Sequence, residues 1–235
     1  MIFHTVNGYM PISKLTISAS VLFVVTSAGA QSGNTKHLSW WPAYYLKYAI
    51  NEKWAVNSDL QGRNFTKQPV LGLVAIRTGV HYYFSKQWST AIGVAWFHQR
   101  LHSISNKNVV TDELRLWEEL KHECKLNKWQ LVNQFRTEQR HFINRENLAF
   151  RFRYKLTADL LLGEKWKGMA GNELMWQTSE VRDNWDQYRV WLGGEYAFNS
   201  KNQVQLLLMH WWQFSSHTSQ PVVRINFVQS INAAL

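Results

Sequence analysis

From Ser39 to the end of the chain, apolar and polar residues alternate with a period of two, not 3.6. Residues 147 to 158 are the clearest stretch. Leu148, Phe150, Phe152, Tyr154 and Leu156 fall on one face; Asn147, Arg151, Arg153, Lys155 and Thr157, with Ala149 among them, fall on the other. A helix would scatter both sets around its circumference, whereas a strand separates them. The pattern recurs in 185–198, where Tyr188, Val190, Leu192, Tyr196 and Phe198 oppose Gln187, Arg189, Trp191 and Glu195. In 72–84, Val74, Ile76, Val80, Tyr82 and Phe84 oppose Arg77, His81 and Tyr83. In 129–142, Trp129, Leu131 and Phe135 oppose Gln130, Gln134, Arg136, Glu138 and Arg140. In 112–124, Leu114, Leu116 and Leu120 oppose Glu113, Arg115, Glu119, Lys121 and Glu123, with Glu118 interrupting the apolar face.

These segments run about 10–13 residues, longer than the 5–6 of soluble strands and matching the 9–11 of a tilted membrane strand. In a membrane barrel the apolar face meets lipid and the polar face lines the lumen. Aromatic residues gather at segment ends: Trp54, Tyr82 to Phe84, Trp88, Trp96, Trp129, Tyr196 to Phe198, and Trp211 to Phe214. That placement predicts interfacial girdles. Short connections at Asn51–Lys53, Ser85–Gln87, Lys125–Lys128 and Asn199–Asn202 alternate with longer ones at 65–71, 101–111, 178–184 and 215–219. The expected architecture is an all-β, antiparallel up-and-down transmembrane β-barrel of about 10–12 strands in a single domain, residues 31–235. About eleven strand-like segments can be marked. Bacterial barrels usually close on an even number, which favours twelve. Tight turns facing the periplasm would put the start of the first clear strand on the outer side, and residues 31–38 could supply a further strand or thread the lumen.

Composition supports export to a membrane. Charged residues make up 18% of the 235, aromatics 14%, and Trp alone occurs 13 times; soluble proteins carry roughly 25% charged residues. The net charge of +10 comes from basic residues spread singly along alternating segments, a pattern of a lumen wall and not of a nucleic-acid footprint. At the start of the chain, Lys14 precedes an apolar run from Leu15 to Val25, then Ala28 and Ala30 in a small-x-small arrangement. This reads as a signal peptide over residues 1–30, cleaved near Ala30, with Met10 an alternative initiator. The apolar run is too short for the ~20 residues of a spanning helix. The expected location is the outer membrane of a Gram-negative cell. The expected partners are outer-membrane lipid, lipopolysaccharide and, during insertion, the barrel-assembly machinery. The lone Cys124 can form no intrachain disulfide.

Inward projection collects Asp59, Arg63, Arg77, Glu113, Arg115, Glu119, Arg136, Glu138, Arg140, Arg151, Arg153, Lys155, Glu173, Arg189, Glu195 and Arg224. Planar guanidinium forks pair with carboxylates, so these residues can brace a narrow lumen as a network or line an anion-preferring one. Chemistry has weaker signals. His98, His102, Ser103 and Ser105 surround one loop, and His210, Ser215, Ser216 and His217 another. Either group could supply the His and Ser of a lipid-modifying hydrolase, although neither carries a G-x-S-x-G elbow. His37, His81, His122 and His141 are scattered, with no metal-binding spacing. No cofactor is expected. A soluble periplasmic β-protein is the remaining alternative, with the apolar faces turned into a core.

Several pieces resemble a known group. They are WWPAYYLKYAINEKWAVNSDLQGR, RTGVHYYFSKQW, DELRLWEELKHE, QFRTEQR followed by FRFRYKL, GNELMWQT and QYRVWLGGEYAF. In this order, over roughly residues 39 to 230, they are similar to the exported proteins of domain-of-unknown-function family 2490. The resemblance implies an outer-membrane-type barrel and carries over no catalytic residue. Its recurrent charges match Glu113, Arg136, Glu138, Arg140, Arg151, Arg153, Glu173 and Arg189.

Overall fold

A computed structural model describes residues 38–64, 71–102, 108–143, 147–179 and 183–233. The segment read as a signal peptide lies outside the described residues. The described residues form eleven strands: β1 (Ser39–Ala49), β2 (Trp54–Arg63), β3 (Leu73–Tyr83), β4 (Trp88–His102), β5 (Asn108–Leu126), β6 (Trp129–Phe142), β7 (Asn147–Leu161), β8 (Trp166–Ser179), β9 (Asn184–Ala197), β10 (Asn202–Gln213) and β11 (Thr218–Asn232). Each pairs antiparallel with its sequence neighbour, and the sheet closes on itself. Among the described residues no helix is long and apolar enough to cross a membrane.

Closure corrects the expectation of twelve strands. A meander reverses direction at every turn, so an odd number returns the last strand parallel to the first. β1 and β11 pair in parallel from Ser39↔Val222 to Ala49↔Asn232. The two prolines of the described strands, Pro42 and Pro221, both lie in these seam strands; a residue without an N–H is best tolerated at strand edges.

Three tight turns share one construction. Asn51 Oδ1 accepts from the N–H groups of Lys53 and Trp54, both at 2.9 Å. Ser85 Oγ accepts from Gln87 (3.1 Å) and Trp88 (2.9 Å). Asn199 Oδ1 accepts from Lys201 (2.9 Å) and Asn202 (2.8 Å). Such side-chain caps replace ladder bonds lost where the chain reverses. The β5–β6 turn instead places Asn127 at a φ of 53°, a left-handed conformation that Asn adopts more readily than most residues. β4 and β5 extend well into the stretch read as a 101–111 loop, because their ladder continues to His102↔Asn108.

The exterior is apolar. Leu60, Ile76, Ile92, Leu116, Phe135, Phe152, Leu192, Leu206, Leu208 and Ile225 all stand exposed. Near the tight turns, Trp54 packs on Tyr82 (4.7 Å between ring centroids), Phe84 on Trp88 (6.5 Å), and Trp166 on Tyr196 (4.7 Å). Toward the loop end stand Trp40, Trp96 and Trp185. Trp211, expected in a girdle, is a correction: its side chain points inward, 9% exposed, edge-on to Trp41 at 5.4 Å. By the parity of β10, the outward position is Trp212, which packs on Tyr188.

Inside, two apolar clusters line opposite stretches of wall. Trp41, Trp191, Leu207, Met209, Trp211 and Val222 form one; Leu73, Ala75, Ala91, Ala95, Phe97 and Trp117 form the other. Charged side chains fill the space between.

Candidate functional site

Most of the lumen charges come from alternate positions of β5 to β9, with Asp59 and Arg63 on β2, Arg77 on β3 and Arg224 on β11, and the ladder decides who meets whom. Glu138 of β6 lies directly opposite Arg151 of β7, and Glu173 of β8 opposite Arg189 of β9. Other direct neighbours are like-charged, Arg115 with Arg140 and Arg136 with Arg153. Arg136 has Glu119 directly opposite on its other side, while Arg115, Arg140 and Arg153 reach diagonal carboxylates with their long guanidiniums. Arg115 donates to Glu113 through Nε (2.6 Å) and Nη2 (2.9 Å), and to Glu138 through Nη1 (3.2 Å). Arg140 grips the same Glu113 with Nε (2.5 Å) and Nη2 (3.0 Å) and also donates to Gln177. Arg153 bridges Glu138 and Glu173, and Arg189 Nη1 completes the row on Glu173 at 2.9 Å. Arg151 lies 3.6 Å from Glu138 and 2.8 Å from Asp186; the latter is an ion pair without hydrogen-bond alignment.

Eight of the residues projected from sequence thus form one lattice with Asp186: Glu113, Arg115, Glu138, Arg140, Arg151, Arg153, Glu173 and Arg189. Glu119 and Arg136 make a separate pair beside it, with Arg136 Nε 2.8 Å from Glu119. Glu195 lies apart, toward the tight turns, paired with Lys167 at 2.7 Å. Asp186 was not legible as a lumen residue. Strict alternation puts it on the same face as Tyr188 and Val190, and a register shift of β9 opposite Met175 and Trp176 turns it inward.

Lumen guanidiniums inside and beside the lattice rest on the aromatic clusters. The Arg115 guanidinium lies 3.6 Å from the Phe97 ring, Arg136 4.4 Å from Trp117, and Arg63 4.5 Å from Trp41. Trp117 lies flat on the wall because Gly79 and Gly93 face it; a Cβ on either would sit 2.3 Å from the indole.

The lattice stands on β5 to β9, toward the longer loops. Beside it, with Arg63, Arg136, Arg153, Glu173 and Arg189 in its lining, lies a cavity of about 500 Å3. Its lining includes Lys47, Lys121, Gln130, Lys167 and Gln203, close to the strand ends at the tight turns, so it is a vestibule reaching that end. Lys121 pairs with Glu123 at 2.6 Å. Trp191 and Leu207 give it an apolar wall. A larger concavity, about 710 Å3, lies against the outer surface, among Ile92, Leu120, Phe135, Phe152 and Trp176. It is a furrow in the apolar exterior, and Glu118 stands in it.

The candidate hydrolytic groups do not assemble among the described residues. His98 Nδ1 contacts Asp112 Oδ1 at 2.8 Å on the outer face; Ser103 and Ser105 lie outside the described residues. His210 stacks on Trp212 at 4.1 Å, while Ser216 Oγ bonds Thr218 Oγ1 at 2.8 Å and not a histidine. Among the described residues no three metal-ligating side chains gather. His81 lines the lumen, His122 stacks outward on Trp88 at 4.4 Å, and His37 lies outside the described residues.

A family model described as protein of unknown function (DUF2490) matches residues 38–221. No curated protein matches the sequence. Two solved barrels are similar in fold. OmpT (in-vitro folded), an outer membrane protein of Vibrio cholerae, is 13% identical with a TM-score of 0.44, over 73% of this chain and 56% of that one. The beta domain of the Bordetella autotransporter Brka is 12% identical with a TM-score of 0.42, over 74% of this chain and 80% of that one. The chain thus spans little more than half the length of OmpT. Neither likeness transfers a residue role.

Proposed function

We propose, from the premise that the chain belongs to the family described as protein of unknown function (DUF2490), that it is an outer-membrane β-barrel plugged by its own side chains. The plug lies at the loop end, and the lumen opens as a vestibule at the tight-turn end. One observation carries this reading: the Arg/Glu lattice, whose members Glu113, Glu138, Arg151, Glu173 and Arg189 are each 7% exposed or less. A solute crossing the barrel would have to break several buried ion pairs at once, each leaving an uncompensated charge. The exterior supports the membrane setting, since apolar side chains there face outward and charges inward, the reverse of a soluble sandwich. Short turns facing the periplasm and longer loops facing out are the rule for such barrels. That orientation opens the vestibule to the periplasm.

In this reading residues 1–30 direct export and are removed near Ala30. The barrel-assembly machinery inserts the product, and its wall contacts lipid and lipopolysaccharide. The test combines location, fold and conductance. The protein should fractionate with outer membranes and run faster on a detergent gel unboiled than boiled. In planar bilayers it should show no sustained ion conductance. Release by osmotic shock with a single mobility would overturn the barrel. Steady open-channel current would overturn the plug.

A further inference from the structure

Ten cationic side chains line the vestibule, and their pairing is uneven. Arg77 is held by Asp59 at 3.0 Å, Lys121 by Glu123 at 2.6 Å, and Lys167 by Glu195 at 2.7 Å. Arg136, Arg153 and Arg189 are held by Glu119, Glu138 and Glu173. Lys47, Arg63, Lys155 and Arg224 are not. None has a carboxylate within ion-pair reach among the described residues. Among the described residues Arg224 donates to the Tyr45 hydroxyl alone (3.1 Å), and Arg63 to Gln61 alone (3.4 Å). The Nε of Arg63 is buried with no acceptor. On the acidic side, Asp159 is the lining carboxylate without an ion pair, near the tight-turn end of β7.

We propose that the vestibule is a binding site for a small organic anion carrying two or more negative charges, with Lys155, Arg224 and Lys47 as its charge partners. This rests on the plugged-barrel reading, which gives the site a closed end. Unpaired cations inside a low-dielectric wall focus a positive potential into the enclosed water and concentrate anions there. A bound dianion supplies the partners the chain withholds. The volume, about 500 Å3, falls in the range of small-ligand sites. Gln203, Gln205 and Asn226 supply neutral hydrogen-bonding groups, and Trp191 an apolar face for a carbon skeleton. The excess charge favours ligands over neutral solutes of the same size.

The test uses the folded full chain in detergent with three probes: glucose 6-phosphate, citrate and glucose. Calorimetric titration should detect glucose 6-phosphate or citrate, weakening as sodium chloride is raised, and should detect no glucose. Binding by one alone assigns the acidic group as phosphate or carboxylate. Lys155→Gln and Arg224→Gln break no ion pair, so both should keep the fast unboiled gel mobility. Each should weaken binding at least about tenfold, the scale of one lost hydrogen bond to a charged group. Anion binding that equals glucose binding, no binding at all, or affinity unchanged in both variants would overturn the site. A folded, non-conducting barrel that ignores the anions sinks this inference and leaves the plug standing; steady conductance sinks the plug. Should the variants fail to fold, the wild-type contrast between glucose 6-phosphate and glucose decides.

Discussion

At the residue scale, the lumen separates charges by how many partners each would strand. Glu138 answers three guanidiniums, those of Arg115, Arg151 and Arg153, and is 3% exposed. Glu138→Ala leaves all three without that partner. The expected loss is about 3–5 kcal/mol of unfolding free energy, the range for one broken buried pair. It would be read as a lower temperature at which the unboiled gel form disappears. Lys121 pairs with Glu123 where both side chains are 25% exposed, so Lys121→Ala should change stability by less than about 1 kcal/mol. Equal effects of the two would contradict the lattice. Glu118 is the opposite case. It stands exposed on the apolar face between Leu116 and Leu120, with no partner among the described residues. Glu118→Leu should raise stability by up to about 2 kcal/mol, since an acid on a lipid face costs somewhat less than a base at the midplane. Urea titration of the vesicle-inserted barrel measures it, and a loss would mean that Glu118 has a stabilising contact.

At the element scale, the wall and its contents are fitted to each other. β3 and β4 present Gly79 and Gly93 to Trp117 of β5. Gly79→Val should displace the indole and destabilise the barrel strongly, because the neighbour to be moved is a large, buried ring. Pairing it with Trp117→Ala should recover part of that loss. The double-mutant cycle checks the contact, and additive losses would show that Gly79 serves the backbone instead. β9 adds a second fit. Its register shift gives the lattice Asp186, and Phe214 N–H bonds the Asp186 carbonyl at 3.0 Å.

At the scale of the whole molecule, eleven strands put the start of β1 at the loop end and the end of β11 at the tight-turn end. Orientation is therefore testable from connections alone. In a Cys124→Ser background, Ser216→Cys lies in the β10–β11 connection and Lys86→Cys in the β3–β4 turn. A membrane-impermeant maleimide added to intact cells should label the first and spare the second. The reverse pattern would turn the barrel over and open the vestibule to the outside.

Alternation, aromatic segment ends and the near absence of proline from strands made the barrel legible, because a strand's period of two is local and survives any arrangement of neighbours. The same parity put Arg151, Arg153, Glu138 and Arg189 in the lumen before any pairing was known. Three things needed the closed sheet. Strand number and the parallel seam depend on where the ladder ends, which local pattern does not encode. Asp186 turns inward, against parity, because the bulge is a relation between two strands. The split of the lumen cations into those paired in the lattice and the unpaired Lys47, Lys155 and Arg224 depends on reach across the ladder. The sequence determined that the Arg and Glu of the lattice, Asp186 aside, face inward; the tertiary structure decided which of them neutralise one another, because an ion pair is set by distance between strands and not by position along one.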